Sequence, residues 1–211
     1  MQSTSFPLTT AIENATRRTL NEHGPSAFIA TREAAIFHEV GHAIIGVHEG
    51  LAIRHISIYS RAVPNCGLMW GGGCSVAGPA TCRTGPDTTA DDDLHRARFL
   101  IGGLAAEAAM QMDTPGSSLD DLVMSQVFGG NAATKLADPV VLSALSDGPE
   151  YDAFLHQFWD KHVWRVAIRI LYVNPEVFFQ LAEQLREREK VNGGTLRNML
   201  AQIRRITPCQ K

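Results

Sequence analysis

The sequence holds only four cysteines in 211 residues, Cys66, Cys74, Cys82 and Cys209, too few for a disulfide scaffold. Three of them lie eight apart in a Gly-rich stretch, a spacing that fits no standard zinc-ligand pattern, so they read as ordinary reduced thiols without an assigned role. An excess of basic charge is also missing. Nineteen Lys and Arg against 22 Asp and Glu leave a net charge of −3, which argues against holding a nucleic-acid backbone. No 18-residue apolar run occurs, and the N-terminal MQSTSFPLTTAIENATRRTL has no apolar segment of signal-peptide length. The expectation is therefore a cytoplasmic chain with no membrane segment.

What is present is 45% hydrophobic residues, enough for a sizeable core in one ordinary domain. Residues 1–30 read as an arm or short helix, polar as far as Gly24-Pro25, and residues 31–211 as the folded domain. From Thr31, a candidate N-cap, helix-forming residues run to a stop at Gly50. RHISIYSR, Arg54 to Arg61, alternates and is rich in β-formers, so a small sheet or hairpin is expected over roughly 53–78.

Thr88 and Thr89 stand three residues before Asp91 and Asp92, a capping-box arrangement that opens a second helix running towards Pro115-Gly116. Ser117 and Ser118 offer N-caps to a helix through SSLDDLVMSQVF that ends at Gly129-Gly130. A weaker, broken helix is expected around Pro139. The C-terminal third reads as helical over Glu150 to Val173, then from an Asn174 cap and Pro175 to Lys190, and again from Thr195. Trp159, Trp164, Phe154 and Phe158 fall at helical spacings and read as packing residues, whereas REREK, Arg186 to Lys190, reads as a solvated face. His95, His156 and His162 sit at no ligand spacing. The fold class is mainly α with a small β element near the front.

The chemistry-bearing motif is His38-Glu39-Val40-Gly41-His42. Residues four apart on a helix differ by about 40° in azimuth, so both imidazoles project from one face and can share a metal ion. Glu39 lies beside them, placed to reach a metal-bound water. Zinc suits neutral imidazole and acidifies bound water enough for a carboxylate to take its proton. The bland alternative is two histidines on an ordinary helix face.

Several residues compete for the third ligand. His48 would complete H-E-x-x-H-x-x-G-x-x-H, but Ile45 stands where that pattern needs glycine and Gly46 comes one place late. On a continued helix His48 lies about 240° from His42, facing away, more a surface residue near the helix end than a ligand. Glu107 in GGLAAE is a carboxylate among small apolar residues, either a ligand or a partner that orients one. Asp120 and Asp121 could ligate or simply stabilise a helix start.

AAIFHEVGHAIIG, RHISIYSR, FLIGGLAAEAA, PGSSLDDL and NPEVFFQLAEQLREREKVNGGTL occur in the order of the blocks of the protease domain of FtsH-type ATP-dependent zinc metalloproteases, which this chain resembles from about residue 31 to 203. The resemblance implies a helical zinc peptidase in which His38 and His42 bind zinc and Glu39 is the catalytic base. It makes Asp121, followed by Leu122, the preferred third ligand over Asp120 and His48, and Glu107 a partner behind a ligand histidine. It departs from the family at Tyr59-Ser60-Arg61-Ala62, where a Pro-Arg-Gly turn is usual.

Only 30 residues precede the first block, so the ATPase and membrane segments of the parent family are not expected in this chain. The implied activity is endopeptidase cleavage of unfolded or flexible protein or peptide segments, with substrate pairing along the Arg54 to Ser60 strand. Family members assemble in rings, which sets an expectation of a homo-oligomer or of a separate partner that delivers substrate. The rival readings are a metal-binding, protease-like module that recognises a partner without turnover, and a metal-free helical interaction domain.

Overall fold

The computed structural model describes residues 31–63, 67–77, 88–112, 119–145 and 148–206. Helix α1, Arg32–His48, begins where the Thr31 hydroxyl accepts from the Ala34 N–H at 3.1 Å. Strands β1, Ile53–Val63, and β2, Gly67–Val76, form an antiparallel hairpin with Ile58 opposite Gly72. Helix α2, Ala90–Ala109, opens with the expected capping box: the Thr89 hydroxyl accepts from Asp92 N–H, and the Asp92 carboxylate accepts from Thr89 N–H. Helices α3, Leu119–Leu136, α4, Pro139–Ala144, and α5, Pro149–Trp159, follow. A π-helical turn at Asp160–Trp164 joins α5 to α6, Arg165–Tyr172; after it come α7, Pro175–Arg188, β3, Lys190–Asn192, and α8, Gly193–Leu200.

The architecture is mainly helical with a three-stranded antiparallel sheet in the order β2-β1-β3. Its core is continuous. Ile36, Val40 and Ile44 from α1 meet Ile56 and Ile58 from β1, Ile101 from α2 and Leu122 from α3, while Ile170, Leu181 and Leu185 close the other side. Helices α1 and α2 cross closely, so that a Cβ on Gly41 would stand 2.6 Å from the Ala106 Cβ and overlap the Gly102 carbonyl. Only backbone can pass there, and that intimacy brings the functional face of α1 within reach of α2 side chains.

Several expectations are corrected. Helix α3 does not end at Gly129-Gly130 but continues to Leu136. The Trp159 ring lies so near Gly129 that a Cβ there would come within 2.7 Å, so glycine serves packing and the tertiary contact outweighs its intrinsic helix penalty of about 1 kcal/mol. Arg54 to Ser60 is not an open edge. Strand β1 is central, with β2 on one flank and β3 pairing at His55, Ile56 and Ser57 on the other. Strand β3 lies in the stretch before Asn192-Gly193-Gly194, and its one buried side chain, Val191, is the apolar signal.

Asn174 is not a side-chain cap. Its amide donates to the Ile170 carbonyl at 2.8 Å and the Arg204 carbonyl at 3.1 Å, and its oxygen accepts from Arg204 N–H, tying the C-terminal segment to α6. The last helix starts at Gly193, two residues before the expected Thr195. Arg186 is not simply solvated, since it pairs with Glu33 at the start of α1 and with Glu183, and lies over the Phe37 ring. Residues 1–30, the Ser117 and Ser118 caps, and Cys66, Cys82 and Cys209 lie outside the described residues. No described helix is long and apolar enough to cross a membrane.

Candidate metal centre

His38 and His42 stand one turn apart on the α1 face that meets α2. Their Nε2 atoms are 2.9 Å apart. Asp121, in the first turn of α3, brings Oδ2 to 3.2 Å from His38 Nε2 and 3.4 Å from His42 Nε2. Three ligand atoms from two helices thus surround one point, a grouping able to hold a metal ion.

The other ring nitrogens show what the Nε2 atoms can do. His42 Nδ1 lies 2.8 Å from the Phe99 carbonyl, which can only accept, so Nδ1 donates there and Nε2 is the nitrogen turned towards Asp121. His38 Nδ1 lies 2.6 Å from Glu107 Oε1 on α2, a carboxylate buried to 2% exposure. Glu107 therefore stands behind the ring, as an orienting partner does, and away from the point where the ligand atoms meet.

Two imidazole nitrogens and a carboxylate converging at these distances must share either protons or a cation between them. A tetrahedral ion with bonds of about 2.0–2.1 Å needs ligand atoms about 3.3 Å apart, and the observed separations fall around that value. The donor set and spacing fit a divalent ion. Without an ion, burial disfavours a charged His38, but hydrogen bonds to Asp121 and Glu107 outweigh it and push the ring's pKa up to about 10, so a metal ion would bind there in exchange for a proton. Burial also works against the Asp121 carboxylate, and its bonds to His38 and His42 outweigh that and hold it well below the usual carboxylate range.

Glu39 is buried beside this point under β2, and its Oε2 has no hydrogen-bond partner among the described residues. Burial pushes its pKa up against the pull of His42 and His38, so the carboxyl holds a proton more readily than an exposed glutamate. Gly72 roofs it: a Cβ there would come within 2.6 Å of Glu39 Oε1. Gly103 lies against His38 in the same way, where a Cβ would overlap the imidazole.

Of the remaining candidates, Asp120 is exposed and lies outside the ligand group. His48 is not a surface residue: its side chain is 7% exposed, its Nδ1 is 3.0 Å from Glu49 Oε1, and its Nε2 accepts from the Ile206 N–H. Both nitrogens are occupied away from the centre. The Phe99 carbonyl carries no side-chain signal and could not be read from sequence, whereas the glycines of GG-x-AAE and Gly71-Gly72-Gly73 were visible without their purpose. No protein-family model and no curated protein matches the chain.

Proposed function

We propose that the protein is a zinc-dependent endopeptidase acting on unfolded or flexible protein segments. One observation carries the reading: His38, His42 and Asp121 converge on one point, with Glu39 buried beside them and lacking a partner for Oε2. The resemblance of the sequence blocks to the protease domain of FtsH-type enzymes points the same way.

His38, His42 and Asp121 hold the ion; when bound, zinc supplies Lewis acidity that acidifies a water and polarises the scissile carbonyl. Glu39 accepts the proton of the attacking water. Glu39 then passes that proton to the leaving amine, completing hydrolysis without a covalent enzyme intermediate. Glu107 and the Phe99 carbonyl keep both imidazoles turned with Nε2 inward throughout.

Substrate pairing belongs to β2 and not to β1. Strand β1 is flanked on both sides, whereas no strand pairs with the outer side of β2 among the described residues, and its Gly72 lies directly against Glu39. An extended peptide adding to that edge would bring its backbone past the carboxylate, and an already folded substrate could not do so.

The test combines elemental analysis with cleavage of an unstructured protein. One zinc per chain and cleavage that a chelator stops are expected. Stoichiometric zinc without cleavage would instead identify a metal-binding recognition module, and absence of any bound metal would leave only a helical interaction domain.

A further inference from the structure

The three ligands are not supported equally. His38 is oriented by Glu107 and His42 by the Phe99 carbonyl, but the Asp121 carboxylate has no hydrogen-bond or ion-pair partner among the described residues other than the two imidazoles. Its side chain is 28% exposed, so close packing does not hold it either. The location of Asp121 must then come from helix α3 itself.

Helix α3 packs on α2 through apolar side chains such as Leu122 and Phe128, which resist separation but permit small sliding and rotation. A directional restraint occurs one turn after Asp121. Ser125 is fully buried; its hydroxyl donates to the Ala97 carbonyl of α2 at 2.7 Å and accepts from Trp159 Nε1 of α5 at 3.1 Å. Residues four apart share a helix face, so this bond acts on the side of α3 that carries Asp121. Ala97 lies two residues before Phe99, whose carbonyl orients His42, so one short stretch of α2 backbone fixes both a histidine ligand and the helix bearing the carboxylate.

We infer that Ser125 is a positioning residue for the Asp121 ligand, holding α3 in register with α2 through its paired hydrogen bonds to Ala97 and Trp159. The inference rests on the metal-centre reading and adds the element that sets its third ligand. Without the hydroxyl, α3 keeps its apolar packing and the distant Lys135–Asp93 pair at its far end, but loses the directional tie one turn from Asp121, and the buried Trp159 N–H loses its acceptor. Metal sites tolerate displacements of about 0.2 Å, so a small slide is felt at the ion before it is felt by the fold.

The experiment is a double-mutant cycle read as zinc dissociation constant by chelator competition, using the full chain. Ser125→Ala should weaken zinc binding about tenfold or more, the range seen when outer partners of metal ligands are removed. In the Asp121→Ala background the same change should alter affinity by less than about twofold, because the ligand that Ser125 positions is gone. Ser125→Thr, which keeps the hydroxyl, should restore most of the affinity, and the visible spectrum of the cobalt-loaded Ser125→Ala protein should differ from that of the parent. If Ser125→Ala does not fold, Trp159→Phe, which frees the hydroxyl from its second partner, is measured through the same cycle. An unchanged zinc affinity, or the same loss with and without Asp121, overturns the role. A parent that takes up no divalent ion overturns the metal-centre reading itself, an outcome distinct from failure of the cycle with normal zinc uptake by the parent.

Discussion

Gly72 and Glu39 are in such close apposition that a single added methyl on Gly72 would come within 2.6 Å of the carboxylate Oε1 and 2.7 Å of its Cδ. Strand β2 thereby sets the position of the buried carboxylate without supplying a side chain. Gly72→Ala should push Glu39 aside and leave His38, His42 and Asp121 in place. Cleavage is expected to fall by about 10²-fold, the lower range for loss of a general base, while zinc affinity changes by less than about twofold. Parallel measurement of turnover and zinc binding checks the separation, and a fully active variant would show that Glu39 has room to spare.

Gly103 makes the opposite case. A Cβ there would overlap the His38 ring from the α2 side, so the imidazole would have to leave the position in which it bonds to Glu107. Gly103→Ala should therefore abolish tight zinc binding and cost about 1–3 kcal/mol of stability through overpacking. Isothermal titration with zinc and thermal unfolding of the metal-free protein test the two effects.

Glu107 fixes which nitrogen of His38 faces the point shared with His42 and Asp121. Glu107→Gln keeps the shape and removes the charge, so zinc affinity should fall by about 10- to 100-fold with little change in secondary structure. Circular dichroism and chelator competition on the same preparation check this. An affinity equal to that of the parent would mean that the 2.6 Å contact does not orient the ring.

Away from the centre, Glu49 closes α1 with a buried carboxylate facing His48, Arg98 and His95. Burial alone would raise its pKa, but the bond to His48 and the charges of Arg98 and His95 outweigh burial and lower it below the ordinary 4.5. A depressed folded pKa gives a stabilisation that is complete above the unfolded value and fades as pH falls below it towards the folded one. Glu49→Gln leaves Arg98 buried without its anion, at a cost of about 3–5 kcal/mol at neutral pH, and should flatten the loss of stability below pH 4.5. Denaturant unfolding at neutral and acidic pH measures both.

Much of the helical framework is legible from local signals, because the caps are made by the residues themselves. Thr31 and the Thr89/Asp92 box start their helices where side-chain chemistry requires. The pairing of His38 with His42 was legible because a helical repeat puts positions four apart on one face. Long-range chemistry was not: Gly129-Gly130 resembles a stop until Trp159 is seen against it, and Asn174 resembles a cap until its amide is seen reaching Arg204. Strand β3 is three residues long, too short to carry an alternating pattern, and exists because β1 has a flank to fill. Asp121 differed from Asp120 only through which face of α3 meets α1, a tertiary fact that the resemblance supplied and local propensity could not.

The most direct test of the central claim compares the zinc-loaded parent with Glu39→Gln on an unstructured protein substrate, with zinc content measured in the same samples. The account predicts one zinc per chain in both proteins, cleavage by the parent that stops on chelation, and a variant slower by at least about 10²-fold. A variant that cleaves as fast as the parent, or a parent whose cleavage survives removal of the metal, would contradict it.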